Sequence, residues 1–149
     1  MPESNTRKSQ TPSGRTIRFY HFPHTVVPAL AKAAKLTLSK EKAGKSAAIS
    51  VVLVSNKKIR ELNRTFRRTD RVTDVISFRL SAKPLAGDIY IGRERSQMQA
   101  EEYGHPWKEE LAYIVIHGVL HLLGYGDYTM KERLKMFSKQ DTYFKCLFS

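Results

Sequence analysis

The sequence predicts an α+β fold: a single domain in which a small mixed sheet of about four strands packs against several helices. Short β-branched runs alternate with longer segments of helical periodicity, which is typical of strands interleaved with helices. The length of 149 residues suits one domain with a hydrophobic core. The most apolar segment of helical length follows Pro106, and we expect it to be the central helix.

The first part of the chain predicts a tail, a strand and a helix. Residues 1–14 are rich in Ser, Thr, Pro and basic residues without an apolar period, so we expect a disordered basic tail before a domain that spans residues 15–149. Alternating apolar residues predict a strand over Thr16–Phe22. Helical spacing predicts a helix over Val26–Leu36, followed by a basic linker over Lys40–Lys45.

The middle of the chain predicts three more strands and one helix. A β-branched run predicts a central strand over Ala47–Val54, and Ser55 is a natural cap for the next helix. The apolar face of that helix carries Ile59, Leu62 and Phe66. Two further strands are predicted over Thr73–Leu80 and Asp88–Ile91. The residues expected to turn the chain between them are Pro84 and Gly87.

The last part of the chain predicts three helices. A short helix over Ser96–Tyr103 should end at Gly104, and Pro106 should open the long central helix. An amphipathic helix over Met130–Phe144 closes the chain. The residues predicted to face inward on it are Leu134, Phe137 and Tyr143.

The central helix carries a pattern that predicts a metal site. His117 and His121 are four residues apart, so their rings lie one above the other on one helix face and can share a divalent metal. Gly124 should end the helix, and the turn should bring the carboxylate of Asp127 back as a third ligand. Three protein ligands with one open position are typical of a catalytic zinc site. The alternative is a pair of core histidines that bond to backbone carbonyls.

The charge of the chain indicates a polyanionic partner. The net charge is +12, and the first sixty residues hold twelve basic residues against only Glu3 and Glu41. Nucleic acid is the simplest partner for such a basic half, and a solvated lysine-rich face is the alternative. Cys146 is the only cysteine, so we expect no internal disulfide and a cytoplasmic location. We expect no membrane segment and no secretory signal, because no apolar run is long enough.

The spacing of His117, His121 and Asp127 repeats the ligand geometry of metzincin peptidases, but one residue argues against peptidase activity. Those enzymes place a general-base glutamate directly after the first histidine, where this chain has Gly118. Phosphodiester cleavage is less demanding, because a metal can polarise a phosphoryl oxygen and acidify bound water. A nearby arginine can then stabilise the phosphate charge.

Ordered blocks of the chain resemble the YbeY-type endoribonucleases, bacterial rRNA maturation factors. The likeness spans Ser50 to about Phe137 and includes the run His-Gly-Val-Leu-His-Leu-Leu-Gly-Tyr from His117 to Tyr125. The upstream blocks are Leu62-Asn63, Phe66-Arg67-x-x-Asp70, Thr73-Asp74-Val75-Ile76-Ser77-Phe78, Gly87-Asp88-Ile89 and Gln99-Ala100. The resemblance implies a zinc-dependent, single-strand-specific endoribonuclease. It would act in 3′-end maturation of the small-subunit rRNA and in ribosome quality control, with the ribosomal small subunit as partner and no DNA substrate.

By this resemblance His117 and His121 match two zinc ligands, and Arg67 matches an arginine near the metal that would grip the scissile phosphate. A salt bridge to Asp70 or Asp74 is the alternative role for Arg67. Most family members have histidine as the third ligand, where ungapped alignment places Asp127. Treating Gly126 as an insertion would put Tyr128 there instead, and tyrosine is a poorer zinc ligand.

Three questions stay open from sequence alone. Asp74 and Asp88 lie in family blocks, but turn capping and strand register are their expected roles. His105 could face the cleft or be solvated. A non-catalytic ribosome assembly factor with a structural metal is the alternative from another class, and a fourth protein ligand would support it.

Overall fold

A computed structural model describes residues 6–10, 14–67 and 73–148 of the chain. The strands in these ranges are β1 (Thr6–Gln10), β2 (Arg15–Tyr20), β3 (Ala47–Val54), β4 (Val75–Ala82) and β5 (Leu85–Gly92). They form one mixed sheet in the order β1-β2-β3-β5-β4. The strands β2, β3 and β5 run parallel, and the two outer strands run antiparallel to their neighbours. The predicted α+β fold with a small mixed sheet is therefore confirmed.

The fifth strand lies where the sequence predicted a disordered tail. β1 pairs antiparallel with β2, from Thr6 opposite Tyr20 to Gln10 opposite Thr16. An edge strand needs only backbone hydrogen bonds to its one neighbour, so a polar segment without an apolar period can form it. The expectation of disorder over residues 1–14 is therefore wrong for β1, whereas residues 1–5 and 11–13 lie outside the described ranges.

The helices of the described ranges are α1 (Val27–Lys40), α2 (Asn56–Arg67), α3 (Arg93–Tyr103), α4 (Trp107–Leu122) and α5 (Met130–Phe148). α4 packs against α1, α3, α5, β4 and β5, so it is the central helix that the sequence predicted. α1 continues beyond the predicted end at Leu36 because Thr37 and Leu38 are still buried. The predicted linker therefore starts only after Lys40.

Two predicted helix boundaries are confirmed by their local hydrogen bonds and dihedral angles. The Ser55 hydroxyl accepts the backbone N–H of Lys58 at 3.2 Å, which caps α2. Gly104 follows α3 with φ of 69°, in the left-handed region that glycine adopts at low cost.

Gly87 was predicted to be a turn residue, and this is wrong. It lies inside β5, where an added Cβ would come within 2.6 Å of Leu122 Cδ2 and 2.7 Å of the Phe78 carbonyl oxygen. The glycine is therefore needed for the close approach of α4 to the sheet rather than for chain reversal. The chain reverses between Ala82 and Leu85.

The inward face of α5 also differs from the prediction. Tyr143 is buried as expected, but Leu134 and Phe137 are exposed. The buried residues of the helix are Met136, Gln140 and Tyr143, which recur every three or four positions. The spacing of apolar residues did not predict this face because Gln140, in its middle, is polar and has hydrogen-bond partners inside the protein.

The hydrophobic core draws on the parallel strands together with α1 and α4. Its fully buried large side chains include Phe19, Ile17, Leu30, Leu38, Ile89, Ile91, Leu111, Ile114 and Ile116. Over the ranges that the structure describes, every helix is too short or too polar to cross a bilayer.

Candidate metal centre and cleft

The three residues predicted as metal ligands lie together in the structure. The Nε2 atoms of His117 and His121 are 3.1 Å apart, and Asp127 Oδ2 lies 3.5 Å from His121 Nε2. Donors at about 2.0–2.1 Å from a tetrahedral zinc ion lie about 3.3–3.4 Å from one another. The spacing of these donor atoms therefore fits one small divalent ion.

Hydrogen bonds on the opposite ring nitrogens fix the tautomers of both histidines. His121 Nδ1 lies 2.9 Å from the carbonyl oxygen of Tyr125, which can only accept a hydrogen bond. His117 Nδ1 lies 3.2 Å from Gln140 Oε1, and the amide nitrogen of Gln140 donates to the Tyr113 carbonyl at 2.9 Å. Both Nδ1 atoms are therefore donors, which leaves a lone pair on each Nε2 of the neutral rings.

These tautomers bear on the choice between a metal site and a pair of satisfied core histidines. Two Nε2 lone pairs that face each other at 3.1 Å repel unless a proton or a metal cation lies between them. The adjacent carboxylate of Asp127 adds negative charge on the same side. The donor set of two imidazole nitrogens and one carboxylate therefore fits a divalent cation better than a single shared proton.

The turn after α4 brings Asp127 back to the histidines. Gly124 has φ of 105°, its N–H donates to the His121 carbonyl, and the N–H of Tyr125 donates to the Leu120 carbonyl. This pair of bonds is the Schellman ending of a helix, which the left-handed conformation of glycine permits. The prediction that Gly124 ends the helix is confirmed.

A cluster around Glu41 holds the same turn from the far side. The Tyr125 hydroxyl donates to Glu41 Oε1 at 2.6 Å, the Tyr143 hydroxyl donates to Oε2, and Lys139 Nζ lies 3.1 Å from Oε2. Burial raises the pKa of Glu41, but the hydrogen bonds from Tyr125, Tyr143 and Lys139 outweigh it, so the net pKa is lowered. Burial and the bond to Glu41 raise the pKa of Tyr143 to about 12. The charged carboxylate therefore ties the end of α1 to α5 and to the turn that carries Asp127.

The three donor atoms open into a cleft of about 650 Å³. The side chain of Asp127 is 39% exposed and that of His121 is 25% exposed, so solvent reaches the site. The other lining residues come from α2, from β4 and the two residues before it, and from the end of α4 with the turn after it: Asn63, Phe66, Thr73, Asp74, Val75, Ser77, Phe78, Arg79, Leu122, Gly124, Tyr125, Gly126 and Tyr128. Among the described residues, no further His, Cys, Asp or Glu joins the three donors. This leaves room for a water molecule or a substrate oxygen, as a catalytic site requires.

Arg67 is the last residue of α2, and its side chain lies outside the described part of the structure, as does Asp70. Its neighbour Phe66 lines the cleft, so α2 ends at the cleft that holds the three donor atoms. Phe66 was predicted to share the apolar face of α2 with Ile59, yet Ile59 is buried and Phe66 is exposed. The reason is that Phe66 packs edge-on against Phe78 at the cleft rather than into the core.

The polar residues of the family blocks take different positions. Asp74 lines the cleft, and its carbonyl accepts the N–H of Gly92, which ties the start of β4 to the end of β5. Asp88 lies within β5 opposite Phe78, and burial raises its pKa. These contacts agree with the expected role of both residues in strand register, and Asp74 also lines the cleft.

His105 has a partner away from the three candidate metal ligands. Its Nε2 lies 2.6 Å from Oε1 of the buried Glu110. Burial raises the pKa of Glu110, and the bond to His105 lowers it, with a net rise. His105 is not among the lining residues of the cleft, so it joins the loop before α4 to the helix rather than facing the site.

The structure supplies a packing reason for Gly118. An added Cβ would lie 2.8 Å from Cγ2 and 3.0 Å from Cδ1 of Ile89 on β5. The carbonyl oxygen of Gly118 accepts a hydrogen bond from the Ser77 hydroxyl at 3.2 Å. Because α4 touches the sheet here, the position that holds the general base in metzincins has no space for a side chain.

Sequence reasoning missed three residues that support the site. Gln140 orients His117, Glu41 anchors the turn, and Arg79 lines the cleft with its Nη1 3.4 Å from the Leu122 carbonyl. A lone glutamine in an apolar helix stripe was a usable signal for Gln140. Nothing local marked Glu41 or Arg79, because their partners lie 84 and 43 positions away.

Comparisons with known proteins agree with this architecture. The family model described as Endoribonuclease YbeY matches residues 21–147. A protein named Endoribonuclease YbeY from Endomicrobium trichonymphae is 50% identical over 132 residues, which cover 89% of this chain and 93% of the relative. One of the same name from Bacillus velezensis is 43% identical and covers 73% of this chain and 78% of the relative.

A solved structure shows the same fold. The solution structure of TM1509 from Thermotoga maritima matches with a TM-score of 0.64 at 33% identity, over 87% of each chain. The family match covers most of the residues that build the sheet, the central helix and the cleft. The chain therefore belongs to the YbeY endoribonuclease family.

Proposed function

We propose that the protein is a metal-dependent endoribonuclease that cleaves single-stranded RNA with one zinc ion held by His117, His121 and Asp127. We also propose a cytoplasmic role in 3′-end maturation of the small-subunit rRNA and in ribosome quality control. The observation that carries the proposal is the convergence of two Nε2 lone pairs and one carboxylate in an open cleft. The names of the relatives supply the RNA substrate.

The chain's own residues have separate tasks in this proposal. When bound, zinc would supply Lewis acidity for a phosphoryl oxygen and for water. Gln140 and the Tyr125 carbonyl hold the ring proton of each histidine on Nδ1, which leaves the two Nε2 atoms as the ligand nitrogens and aims them at one point. Two histidines and one aspartate form a harder donor set than three histidines. Because carboxylate ligands suit manganese, manganese would compete with zinc for this site.

Two arginines are proposed to meet the phosphate backbone. Arg79 lines the cleft, and Arg67 ends the helix whose Phe66 lines it. A guanidinium can grip two phosphate oxygens and bind them more strongly as charge develops in the transition state. We propose Arg67 as the catalytic residue of the pair because it matches the family block, and Arg79 as a binding residue.

The alternatives are less well supported. Gly118 packs directly on Ile89, so the glutamate that a metzincin-type peptidase needs has no place at that position. A structural metal in a non-catalytic assembly factor would favour four protein ligands, and the described residues offer three.

The test is cleavage of single-stranded and duplex RNA by wild type, His121→Ala and Arg67→Ala. We expect His121→Ala to lose metal and activity together. Arg67→Ala should keep its metal and its RNA affinity but cleave about 10²–10³-fold more slowly, because one donor to the transition state is lost. Arg67→Lys should not restore the rate, since lysine lacks the planar fork. Cleavage by His121→Ala at the wild-type rate would refute the proposed metal centre.

A further inference from the structure

Two exposed aromatic rings line the metal cleft. Phe66 is 63% exposed and Tyr128 is 88% exposed, and both belong to the lining of the cleft that holds His117, His121 and Asp127. They come from different walls, since Phe66 is on α2 and Tyr128 is in the segment between α4 and α5. Leaving two large rings in water next to a polar site has no benefit for folding.

The two rings are supported to different degrees. Phe66 contacts Phe78 edge-on with ring centroids 5.1 Å apart, and Phe78 contacts Tyr90 at 5.9 Å. Phe66 is therefore the outer member of an aromatic row that leads into the sheet. Tyr128 follows Asp127 directly, so its backbone is positioned by the same turn that positions the third donor.

The helix that carries Phe66 also carries positive charge, which complements a nucleic acid backbone. Its exposed residues include Lys57, Lys58, Arg60 and Arg64, and Arg79 lines the cleft itself. A basic surface combined with exposed aromatic rings is the usual construction of sites for single-stranded nucleic acid. Phosphates meet the cations, and unpaired bases stack on the rings because every base has a π face.

We infer that Phe66 and Tyr128 are stacking platforms for two unpaired bases of the RNA, one on each wall of the cleft. The inference rests on the proposed function for its ligand. It gives a physical reason for single-strand preference, because bases that pair in a duplex cannot turn their faces onto protein rings. Tyr128 would then serve substrate binding rather than metal ligation.

The test measures binding of a short single-stranded oligoribonucleotide whose riboses are 2′-O-methylated to resist cleavage. In a set of such oligoribonucleotides, each one is abasic at a single different position. Each is titrated with wild type, Phe66→Leu and Tyr128→Leu protein. Leucine keeps apolar bulk but has no π face. Loss of one stacked base typically weakens binding about 5- to 150-fold. We expect two positions in wild type where base removal weakens binding by at least about fivefold.

The variants should each abolish sensitivity at one of these positions and leave the other unchanged. Phe66→Trp keeps an aromatic ring, so it should retain the sensitivity to base removal that Phe66→Leu loses. Tyr103→Leu is the matched control, because Tyr103 is 69% exposed but does not line the cleft, and it should bind like wild type. Variants that show the same pattern as wild type would overturn the inference. So would a wild-type protein for which base removal has no effect at any position.

The result separates this inference from the proposed function. Cleavage and metal content are measured on the same proteins with unmodified RNA. A protein that shows both sensitive positions but does not cut RNA would contradict the proposed activity and support the stacking platforms. A protein that cuts RNA while both leucine variants match wild type would contradict the stacking platforms alone.

Discussion

The hydrogen-bond network of Gln140 makes a quantitative prediction. Gln140 is 2% exposed, accepts from His117 Nδ1 at 3.2 Å and donates to the Tyr113 carbonyl at 2.9 Å. Gln140→Met keeps a similar volume and removes both bonds. Each lost bond costs about 0.5–1.5 kcal/mol, and the Tyr113 carbonyl keeps its bond within α4. We expect the free energy of unfolding to fall by about 1–3 kcal/mol in total.

Metal affinity should fall separately from stability. Loss of the group that orients a ligating histidine typically weakens metal binding about 10–100-fold. Zinc affinity is measured by competition with a coloured chelator at a temperature where the variant is fully folded. Met136→Leu is the control, because Met136 is buried one turn earlier on the same helix face and its swap conserves volume. If Gln140→Met were destabilised but bound zinc as tightly as wild type, the tautomer argument for His117 would be refuted.

Three further predictions concern the surroundings of the site. Because the folded pKa of Glu41 is lowered, its stabilisation is present above the unfolded value near 4.5 and is lost as pH falls below it. Glu41→Gln should lower the free energy of unfolding by about 1.5–3 kcal/mol at neutral pH and flatten the acid limb of a stability–pH curve. Gly118→Ala should destabilise by up to about 2 kcal/mol in chemical denaturation, because the clash with Ile89 outweighs the better helix propensity. Arg79→Ala should reduce the slope of log affinity against log salt by about 0.7 for single-stranded RNA.

Each of these has an outcome that contradicts it. An unchanged acid limb in Glu41→Gln would mean that other carboxylates govern acid unfolding. A more stable Gly118→Ala protein would show that the contact with Ile89 relaxes freely. For Arg79, the control is Arg18→Ala, an exposed arginine of β2 outside the cleft lining, and an equal slope change in both variants would remove the specific role.

The predictable part of the fold follows from local patterns. Ser55, Gly104 and Gly124 act through their own backbone neighbourhood, so their boundaries could be predicted. The two histidines meet because they are one helix turn apart, and the glycine turn that brings Asp127 back follows directly in the sequence. These features depend on contacts between residues close in sequence.

The unpredicted part depends on contacts between residues distant in sequence. β1 forms because β2 offers a free edge, which no pattern within Thr6–Gln10 shows. Gly87 and Gly118 are required by the distance between α4 and β5, although glycine in a sequence usually indicates a turn or a flexible site. Gln140 is buried because it satisfies two groups on α4, so hydrophobic periodicity alone assigned the wrong face to α5.

Titration of zinc into metal-free protein, with RNA cleavage followed at each addition, tests the metal centre most directly. We expect activity to rise in proportion to zinc and to stop rising at one ion per chain. Asp127→Ala should bind zinc weakly and cleave poorly, whereas Tyr128→Phe should match wild type in metal content. Full cleavage by the metal-free protein would contradict a catalytic metal. Normal zinc occupancy in Asp127→Ala, with loss of zinc in Tyr128→Phe, would show that Asp127 is not the third ligand.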